Sequence, residues 1–154
     1  MTEPVILPVT ESRHFDSFAR MMAEQDPWKR MGYGYVTCRS SFEGDWRNVL
    51  GIFVDGAATG FAVLQPLGTF RGYIQTICID SGHQRKGYGN RLLDYCEQEI
   101  ARYSPNVFIC VSEFNEGAQR LYRSRGYETI GILRDFVKAG FNEILMRKTS
   151  GPFL

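Results

Sequence analysis

The sequence predicts a mixed α/β fold, in which an antiparallel front half is followed by one parallel crossover. Asp55-Gly56 separates the apolar runs 49–54 and 59–64, and an Asp-Gly pair in that position is typical of a tight β-hairpin. Residues 72–80 and 107–111 are apolar enough to be buried strands. Because a helical pattern connects them, they form a βαβ unit with parallel strands and a right-handed crossover.

The first elements of the chain follow from apolar spacing and from helix-end signals. Residues 5–9 are a short apolar run that suits a first strand. Residues 11–25 repeat apolar side chains at helical spacing. Asp26-Pro27 resembles an N-cap followed by proline at the first helical position, which predicts that a second helix starts there.

The second half alternates helices and strands. Residues 87–102 carry an apolar stripe, and residues 116–125 form a short helix that Gly126 ends as a C′ glycine. Two last strands follow, at 128–136 and 142–147. The predicted order is therefore β-α-α-β-β-β-α-β-α-β-β, a mixed sheet with helices on both faces.

The composition is that of an ordinary soluble globular protein. A length of 154 residues suits one domain with one core, and the net charge of +1 comes from interspersed charges of both signs. This argues against binding to nucleic acid or to an anionic membrane, which would need a basic patch. The four cysteines are scattered, there are two histidines, and no metal-ligand spacing occurs, so we expect no metal site and a reducing compartment.

The amino terminus shows no basic region followed by an apolar run, which is the pattern of a signal peptide. No stretch of the sequence has the length of apolar residues that a bilayer span needs. From these two observations we expect a cytoplasmic protein without membrane contacts.

A glycine-containing loop opens the helix of the βαβ unit. Gln84, Gly87 and Gly89 fit the spacing Q/R-x-x-G-x-G/A. The first backbone N–H groups of a helix have no partner within it, and glycines let a pyrophosphate approach them. Arg85 and Lys86 add positive charge at the rim. A glycine pair alone is more often only a tight turn, so assigning a diphosphate carrier such as coenzyme A depends on the rest of the chain.

A second motif follows the last strand of the βαβ unit. Asn115 precedes Tyr122 by seven residues, inside the run N-E-G-A-Q-R-L-Y-R-S-R-G-Y-E. This run resembles the N-x-x-A-x-x-L-Y-x-x-x-G-F/Y-E pattern of the GNAT superfamily of acetyl-CoA-dependent N-acetyltransferases. The loop 84–89 resembles the pyrophosphate motif of the same family, and the two motifs occur in the family's order. The resemblance covers residues 51–146 best.

The resemblance implies one N-acetyltransferase domain, residues 1–154, whose two parallel strands splay apart at their carboxyl ends. It implies that acetyl-CoA lies in the resulting slot, with its pantetheine arm along Ile77, Cys78 and Ile79 as an added strand would lie. Asn115 would hydrogen-bond the pantetheine. The resemblance assigns the pyrophosphate to Gln84 and to the loop that follows it, namely Arg85, Lys86, Gly87, Tyr88, Gly89 and Asn90.

The resemblance also assigns the acid of the reaction. Tyr122 would lie near the thioester sulfur and protonate the leaving thiolate, since a phenol can act as a general acid. A backbone N–H at the end of the strand that contains Ile79 would hold the developing oxyanion. The alternative interpretation of Tyr122 is an aromatic residue on the core face of its helix.

The sequence leaves the general base open. Some family members that acetylate protein amino termini carry a glutamate five residues before the motif asparagine, and here that position is Cys110. The other candidates are Glu113, His83, Glu43 and Asp45, or a chain of waters. An aromatic cluster that precedes the second strand would be one wall of the acceptor groove or would pack in the core; it comprises Trp28, Tyr33, Tyr35, Phe42 and Trp46. The loop 137–141 would form the opposite wall.

The two motifs bear on three possible functions. An acetyl-CoA-dependent N-acetyltransferase acting on a primary amine explains both motifs, and Tyr122 favours it. A non-catalytic acyl-CoA sensor is the alternative that the missing glutamate leaves open. A nucleotide-binding domain fits poorly, because the chain has no G-x-G-x-x-G and no Walker lysine spacing. The sequence does not identify the acceptor, which could be a small molecule or a protein, and it leaves the oligomeric state open, a homodimer included.

Overall fold

The structure, a computed structural model, describes residues 2–154. Its elements, in chain order, are β1 (Val5–Pro8), α1 (Ser12–Ala23), α2 (Tyr35–Ser40), β2 (Asn48–Val54), β3 (Ala57–Gln65), β4 (Tyr73–Ile79), a short 3₁₀ turn (Ser81–His83), α3 (Tyr88–Ala101), β5 (Asn106–Ser112), α4 (Glu116–Ser124), β6 (Glu128–Lys138) and β7 (Phe141–Thr149). The predicted element order and the mixed α/β fold are confirmed. None of the helices in this range is long and apolar enough to cross a membrane.

The seven strands form one sheet in the order β1-β2-β3-β4-β5-β7-β6. All neighbours are antiparallel except β4 and β5, which are parallel as the crossover predicts. These two strands pair only at Tyr73 with Phe108 and at Ile74 with Ile109. The last five residues of β4 therefore have no partner on that side, which confirms the expected splay and opens a slot in the middle of the sheet.

Helices cover both faces of the sheet and bury a separate core on each. On one face α3 places Leu92, Leu93 and Ile100 against the central strands, and α4 adds Tyr122. On the other face α1 and α2 pack on β2, β3 and β4, with Phe18 stacked on Phe61 at a centroid distance of 4.7 Å. Each side chain named here is at most 6% exposed. The two cores hold the splayed strands from both sides.

The second helix begins at Tyr35 rather than at Asp26-Pro27, so that sequence prediction is wrong. The Asp26 carboxylate does accept a backbone N–H, that of Arg30, but this lies one residue beyond the positions that an N-cap bonds. The backbone then departs from helical bonding, because Gly32 adopts a φ of 80° and Tyr33 bonds back to the carbonyl of Trp28. Residues 27–32 are consequently a series of turns.

The predicted turns are confirmed by their backbone angles. Asp55 and Gly56 both have positive φ, 51° and 80°, between β2 and β3. That pair of values is what a two-residue hairpin of the type I′ class requires. Gly126 follows α4 with a φ of 94°, the left-handed conformation of a C′ glycine.

Candidate active site

Two clefts lie on either side of the splay and share several lining residues. The loop cleft, about 570 Å³, lies between the end of β4, the turn before α3 and the start of α4; Ile79, Arg85 and Gly117 line it. The hairpin cleft, about 250 Å³, lies between β4, β5 and the β6–β7 hairpin; Tyr73, Cys110 and Phe136 line it. The residues common to both are Pro27, Trp28, Ile77, Asn115, Ala118 and Tyr122.

The loop before α3 has the geometry of an anion cradle. Arg85 and Gly87 adopt positive φ values of 64° and 84°, which turn the chain into the helix. The first helical bond runs from the N–H of Arg91 to the carbonyl of Gly87, and no side chain within residues 2–154 caps the helix. The N–H groups of the first turn therefore point outward without a partner. A Cβ built on Gly87 would meet no atom within 4 Å, so the space in front of the turn is open.

The predicted loop residues take different positions in this cradle. Gln84 donates its side-chain amide to the carbonyl of Ile79 at 3.0 Å and to Gln25 Oε1 at 2.9 Å, so it ties the loop to β4 and α1. Arg85 and Gly89 line the cleft. Lys86 is exposed and Tyr88 half-buried at the helix start. The side-chain oxygen of Asn90 accepts a hydrogen bond from Arg125, which leaves the backbone of Asn90 as its contribution to the cradle.

The unpaired edge of β4 faces the splay. Ile77, Cys78 and Ile79 pair with β3 on one side only, opposite Ala62, Phe61 and Gly60. The Cys78 side chain is buried in the core under α1 and α2, and burial raises the pKa of its thiol. Cys78 therefore offers only backbone groups to the slot, as the sequence analysis expected of all three residues.

Helix α4 carries both residues of the second motif on one face. Asn115 is its N-cap, and its side-chain oxygen accepts the N–H of Ala118 at 3.2 Å. Tyr122 follows two turns later, so both side chains reach the splay. Tyr122 is 6% exposed, its ring packs on Tyr127 at 5.8 Å, and its hydroxyl makes no hydrogen bond among the described residues. Burial raises the pKa of the Tyr122 hydroxyl, so it stays protonated at neutral pH.

Only part of the predicted aromatic wall reaches the hairpin cleft. Trp28 and Tyr33 line it from the turns before α2. Phe42 instead stacks on Phe15 inside the core, so the packing interpretation holds for that residue. Tyr35 donates its hydroxyl to Asp16 on the surface, and Trp46 is exposed. The opposite wall is formed by Phe136 and Val137 at the end of β6, so it starts one residue before the predicted loop.

A strap of two contacts links the walls of the hairpin cleft. The Lys138 ammonium donates to the carbonyl of Met31 at 2.6 Å. The Arg30 guanidinium lies over the ring of Phe114, 4.4 Å from its centroid. The turns before α2 are thereby joined to the β6–β7 hairpin and to the loop after β5.

Glu143 is a buried acid that the sequence analysis missed. It lies on β7 opposite Ser112 of β5, it is 7% exposed, and it lines the hairpin cleft. Burial raises the pKa of its carboxyl, and the nearby Ser112 hydroxyl offsets this in part. Neither Ser112 Oγ nor Glu143 Oε2 makes a hydrogen bond within residues 2–154. An acid directly before the apolar run Ile144-Leu145-Met146 was the signal that could have revealed it.

The charge of Glu143 raises the pKa of neighbouring groups in the cleft. Burial, with Glu143 adding to it, raises the pKa of the Tyr33 and Tyr73 hydroxyls. The same two causes raise the pKa of the Cys110 thiol, against a hydrogen bond to Tyr73 that lowers it. The position that holds a glutamate in some relatives is thus a neutral thiol here, and a carboxylate comes to the same cleft from the next strand.

The base candidates proposed from the sequence lie elsewhere. Glu113, Glu43 and Asp45 are exposed and line neither cleft. His83 lines the loop cleft, where its Nδ1 lies 3.1 Å from Asp80 Oδ2. Within residues 2–154, no group of three histidine, cysteine or acidic side chains is placed to hold a metal ion.

Residues 14–127 match the family described as Acetyltransferase (GNAT) family. The chain belongs to the GNAT family. It is therefore an acyltransferase, and acetyl-CoA is its co-substrate. The RimI N-alpha-acetyltransferase of Mycobacterium tuberculosis is 26% identical to this chain, and the alignment covers 97% of this chain and 96% of RimI.

Solved structures share the GNAT fold of this chain. The ribosomal-protein-S18-alanine N-acetyltransferase of Escherichia coli superposes with a TM-score of 0.75 at 18% identity, covering 99% of both chains. An aminoglycoside 6′-N-acetyltransferase complexed with coenzyme A superposes with a TM-score of 0.75 at 15% identity, covering 97% of this chain and 99% of the other. At these identities the superpositions establish the fold alone.

Proposed function

We propose that residues 1–154 form one N-acetyltransferase domain that moves an acetyl group from acetyl-CoA to a primary amine. One observation carries the proposal: the loop cleft and the hairpin cleft meet at Tyr122, which lines both. A donor bound in one cleft and an acceptor bound in the other would therefore react beside a phenol. Holding two reactants in that way removes the entropy cost of their encounter.

The loop cleft fits the chemistry of coenzyme A. The outward N–H groups at the start of α3 and the Arg85 side chain suit the pyrophosphate. The unpaired edge of β4 at residues 77–79 offers backbone groups to the amide-containing pantetheine arm. Asn115 lines both clefts, so its side-chain amide can bind the same arm while its oxygen caps α4.

The chain's own groups would act on the thioester from opposite sides. A backbone N–H on the free edge of β4 would hold the oxygen that gains charge when the amine attacks the carbonyl carbon. As the C–S bond breaks, Tyr122 would give its proton to the sulfur. The nitrogen, now bonded to the acetyl carbon, loses one proton, which returns Tyr122 to its neutral form.

The relatives suggest two acceptor classes. RimI is named as an N-alpha-acetyltransferase, which acts on an amino-terminal amine. The aminoglycoside 6′-N-acetyltransferase is named for a small-molecule amine. Both classes present a primary amine, and that shared chemistry is what we assign to this protein.

The test measures free thiol released from acetyl-CoA in the presence of single amines. The panel contains a peptide with amino-terminal alanine, an aminoglycoside with a free 6′-amine, and benzylamine, and mass spectrometry checks each product. We expect amine-dependent thiol release and a product heavier by one acetyl group. Tight acetyl-CoA binding without transfer to any amine of the panel would contradict the proposal and favour the sensor.

A further inference from the structure

We propose that Glu143 is the catalytic base of this enzyme: its carboxylate receives the acceptor as an ammonium ion and takes one proton from it. The inference rests on the proposed function and deepens it by assigning the acceptor's protonation state on arrival. It replaces the four base candidates taken from the sequence with a residue on β7.

The position of Glu143 is the first support. Its side chain reaches the cleft that Tyr122 also lines, and among the described residues that line this cleft Glu143 is the one acid. Its strand neighbour Ser112 and the phenols of Tyr33 and Tyr73 surround it with polar but neutral groups. An amine that enters the hairpin cleft therefore meets a single negative charge.

The second support is that the buried Glu143 carboxylate has no positively charged partner. Oε2 has no hydrogen-bond partner within residues 2–154, and no lysine, arginine or histidine in that range forms an ion pair with the carboxylate. An unpaired charge that is 93% buried is costly, because water no longer solvates it. A substrate ammonium would supply the missing positive charge.

The chemistry of the step is balanced. The Glu143 carboxylate takes one proton from R–NH₃⁺ and becomes a neutral acid, directly or through one water. The free amine forms a C–N bond to the acetyl carbon, the C–S bond breaks, and the sulfur leaves with the proton of Tyr122. The second proton lost by nitrogen restores Tyr122, and Glu143 releases its proton to solvent. A raised carboxyl pKa suits a base that must take a proton near neutral pH.

The kinetic test compares wild type with Glu143→Gln on the most active amine of the panel. We expect turnover at neutral pH to fall about 10²-fold or more, the scale of a lost general base, with acetyl-CoA affinity unchanged. The defect should shrink as pH rises, because more of the acceptor then arrives as the free amine and needs no base. Tyr33, Tyr73 and Cys110 stay neutral over most of that range, since the pKa of each is raised.

The matched control is Glu113→Gln, which removes an exposed acid at the end of β5 that lines neither cleft. It should behave as wild type at every pH. A Glu143→Gln variant that transfers acetyl as fast as wild type would overturn the proposal and leave the proposed function standing. A defect of constant size at all pH values would also overturn it, since it would indicate a structural role.

A second test needs no known acceptor. Protein saturated with coenzyme A is titrated by carboxyl ¹³C NMR, with ethylammonium chloride as the probe and sodium chloride at equal ionic strength as the control. We expect Glu143 to titrate above its ordinary value of 4.5, and ethylammonium to lower its midpoint. If no amine of the panel is acetylated, the proposed function fails, and an unmoved Glu143 midpoint overturns the role of Glu143 separately.

Discussion

The loop cleft and the hairpin cleft are built in different ways. The loop cleft is lined mainly by one continuous stretch, residues 77–93, and by residues 115–122 at the start of α4, with residues 25–28 beside them. The hairpin cleft takes side chains from distant parts of the chain, among them Tyr33, Tyr73, Cys110 and Glu143. Binding of a common donor can therefore be encoded locally, whereas the chemistry offered to the acceptor depends on which side chains the tertiary fold brings together.

Substitution of Tyr122, where the two clefts meet, should have the largest effect on turnover. In Tyr122→Phe we expect turnover to fall by about 10²-fold or more, the usual scale for a lost general acid, while acetyl-CoA affinity changes little. The hydroxyl makes no hydrogen bond among the described residues, so its loss should leave the ring packing intact. Single-turnover acetyl transfer measures the rate, and equal rates would remove Tyr122 from the mechanism.

Tyr127→Phe is the matched control for that variant. Tyr127 packs on the ring of Tyr122 but donates its hydroxyl to Glu97 at 2.9 Å, away from both clefts. We expect this change to lower the free energy of unfolding by about 1–3 kcal/mol, since it leaves a charged acceptor one donor short. Its turnover should match wild type, and a rate loss equal to that of Tyr122→Phe would mean that packing alone explains both.

The loop cleft can be broken separately at Gly89. A Cβ there would meet only Ile79 Cγ1, at 3.9 Å, so Gly89→Val projects its methyl groups toward the cradle without a clash in the protein. We expect acetyl-CoA to bind at least tenfold more weakly, a loss of about 1.4 kcal/mol. Calorimetric titration measures this, and unchanged affinity in a folded variant would contradict the cradle.

Gly87→Val, at the other glycine of the loop motif, is a poorer test of the cradle. Gly87 has a φ of 84°, a conformation that a β-branched side chain resists whether or not a ligand binds. Loss of binding in that variant would therefore mix backbone strain with steric exclusion of the phosphate.

Loss of a strap contact should affect binding in the hairpin cleft alone, and the effect should be smaller than those of the changes at Tyr122 and Gly89. Lys138→Met removes the hydrogen bond to the Met31 carbonyl but keeps most of the side-chain length. One such bond contributes about 1 kcal/mol, so we expect the acceptor KM to rise by about fivefold with acetyl-CoA affinity unchanged. Lys29→Met, an exposed change in the same series of turns, is the control. A matching change in acetyl-CoA affinity would show that the two clefts are not independent.

The smallest expected effect is on stability. Because the pKa of Glu143 is raised in the folded state, its contribution to the free energy of unfolding is fully present below its ordinary value of 4.5 and is lost as pH rises through the raised value. Glu143→Gln should therefore be more stable than wild type at neutral pH, and the difference should shrink in acid. Urea unfolding at both pH values measures it, and a difference independent of pH would contradict the burial of a charged form.

Most of the fold follows from short-range patterns. The Asp55-Gly56 hairpin and the C′ glycine Gly126 depend on backbone angles that few residues adopt, so their sequence is sufficient evidence. The sequence places the second helix wrongly because Asp26 does act as a local acceptor, and only the backbone hydrogen bonds of the following turns show that no helix continues from it. In the site, the motif residues Gly87, Asn115 and Tyr122 were found because their spacing reflects one turn and one helix face.

The order of the elements, the turn before α3 and the placement of Asn115 and Tyr122 on one face of α4 can be predicted from the amino-acid sequence, since each depends on neighbouring residues. The acid of the hairpin cleft emerges only from the folded chain. The sequence suggested Glu113 and passed over Glu143, thirty residues later, but the β5–β7 register buries Glu143 opposite Ser112 and leaves Glu113 exposed. Burial and charge pairing depend on contacts between distant segments, and no local pattern contains them.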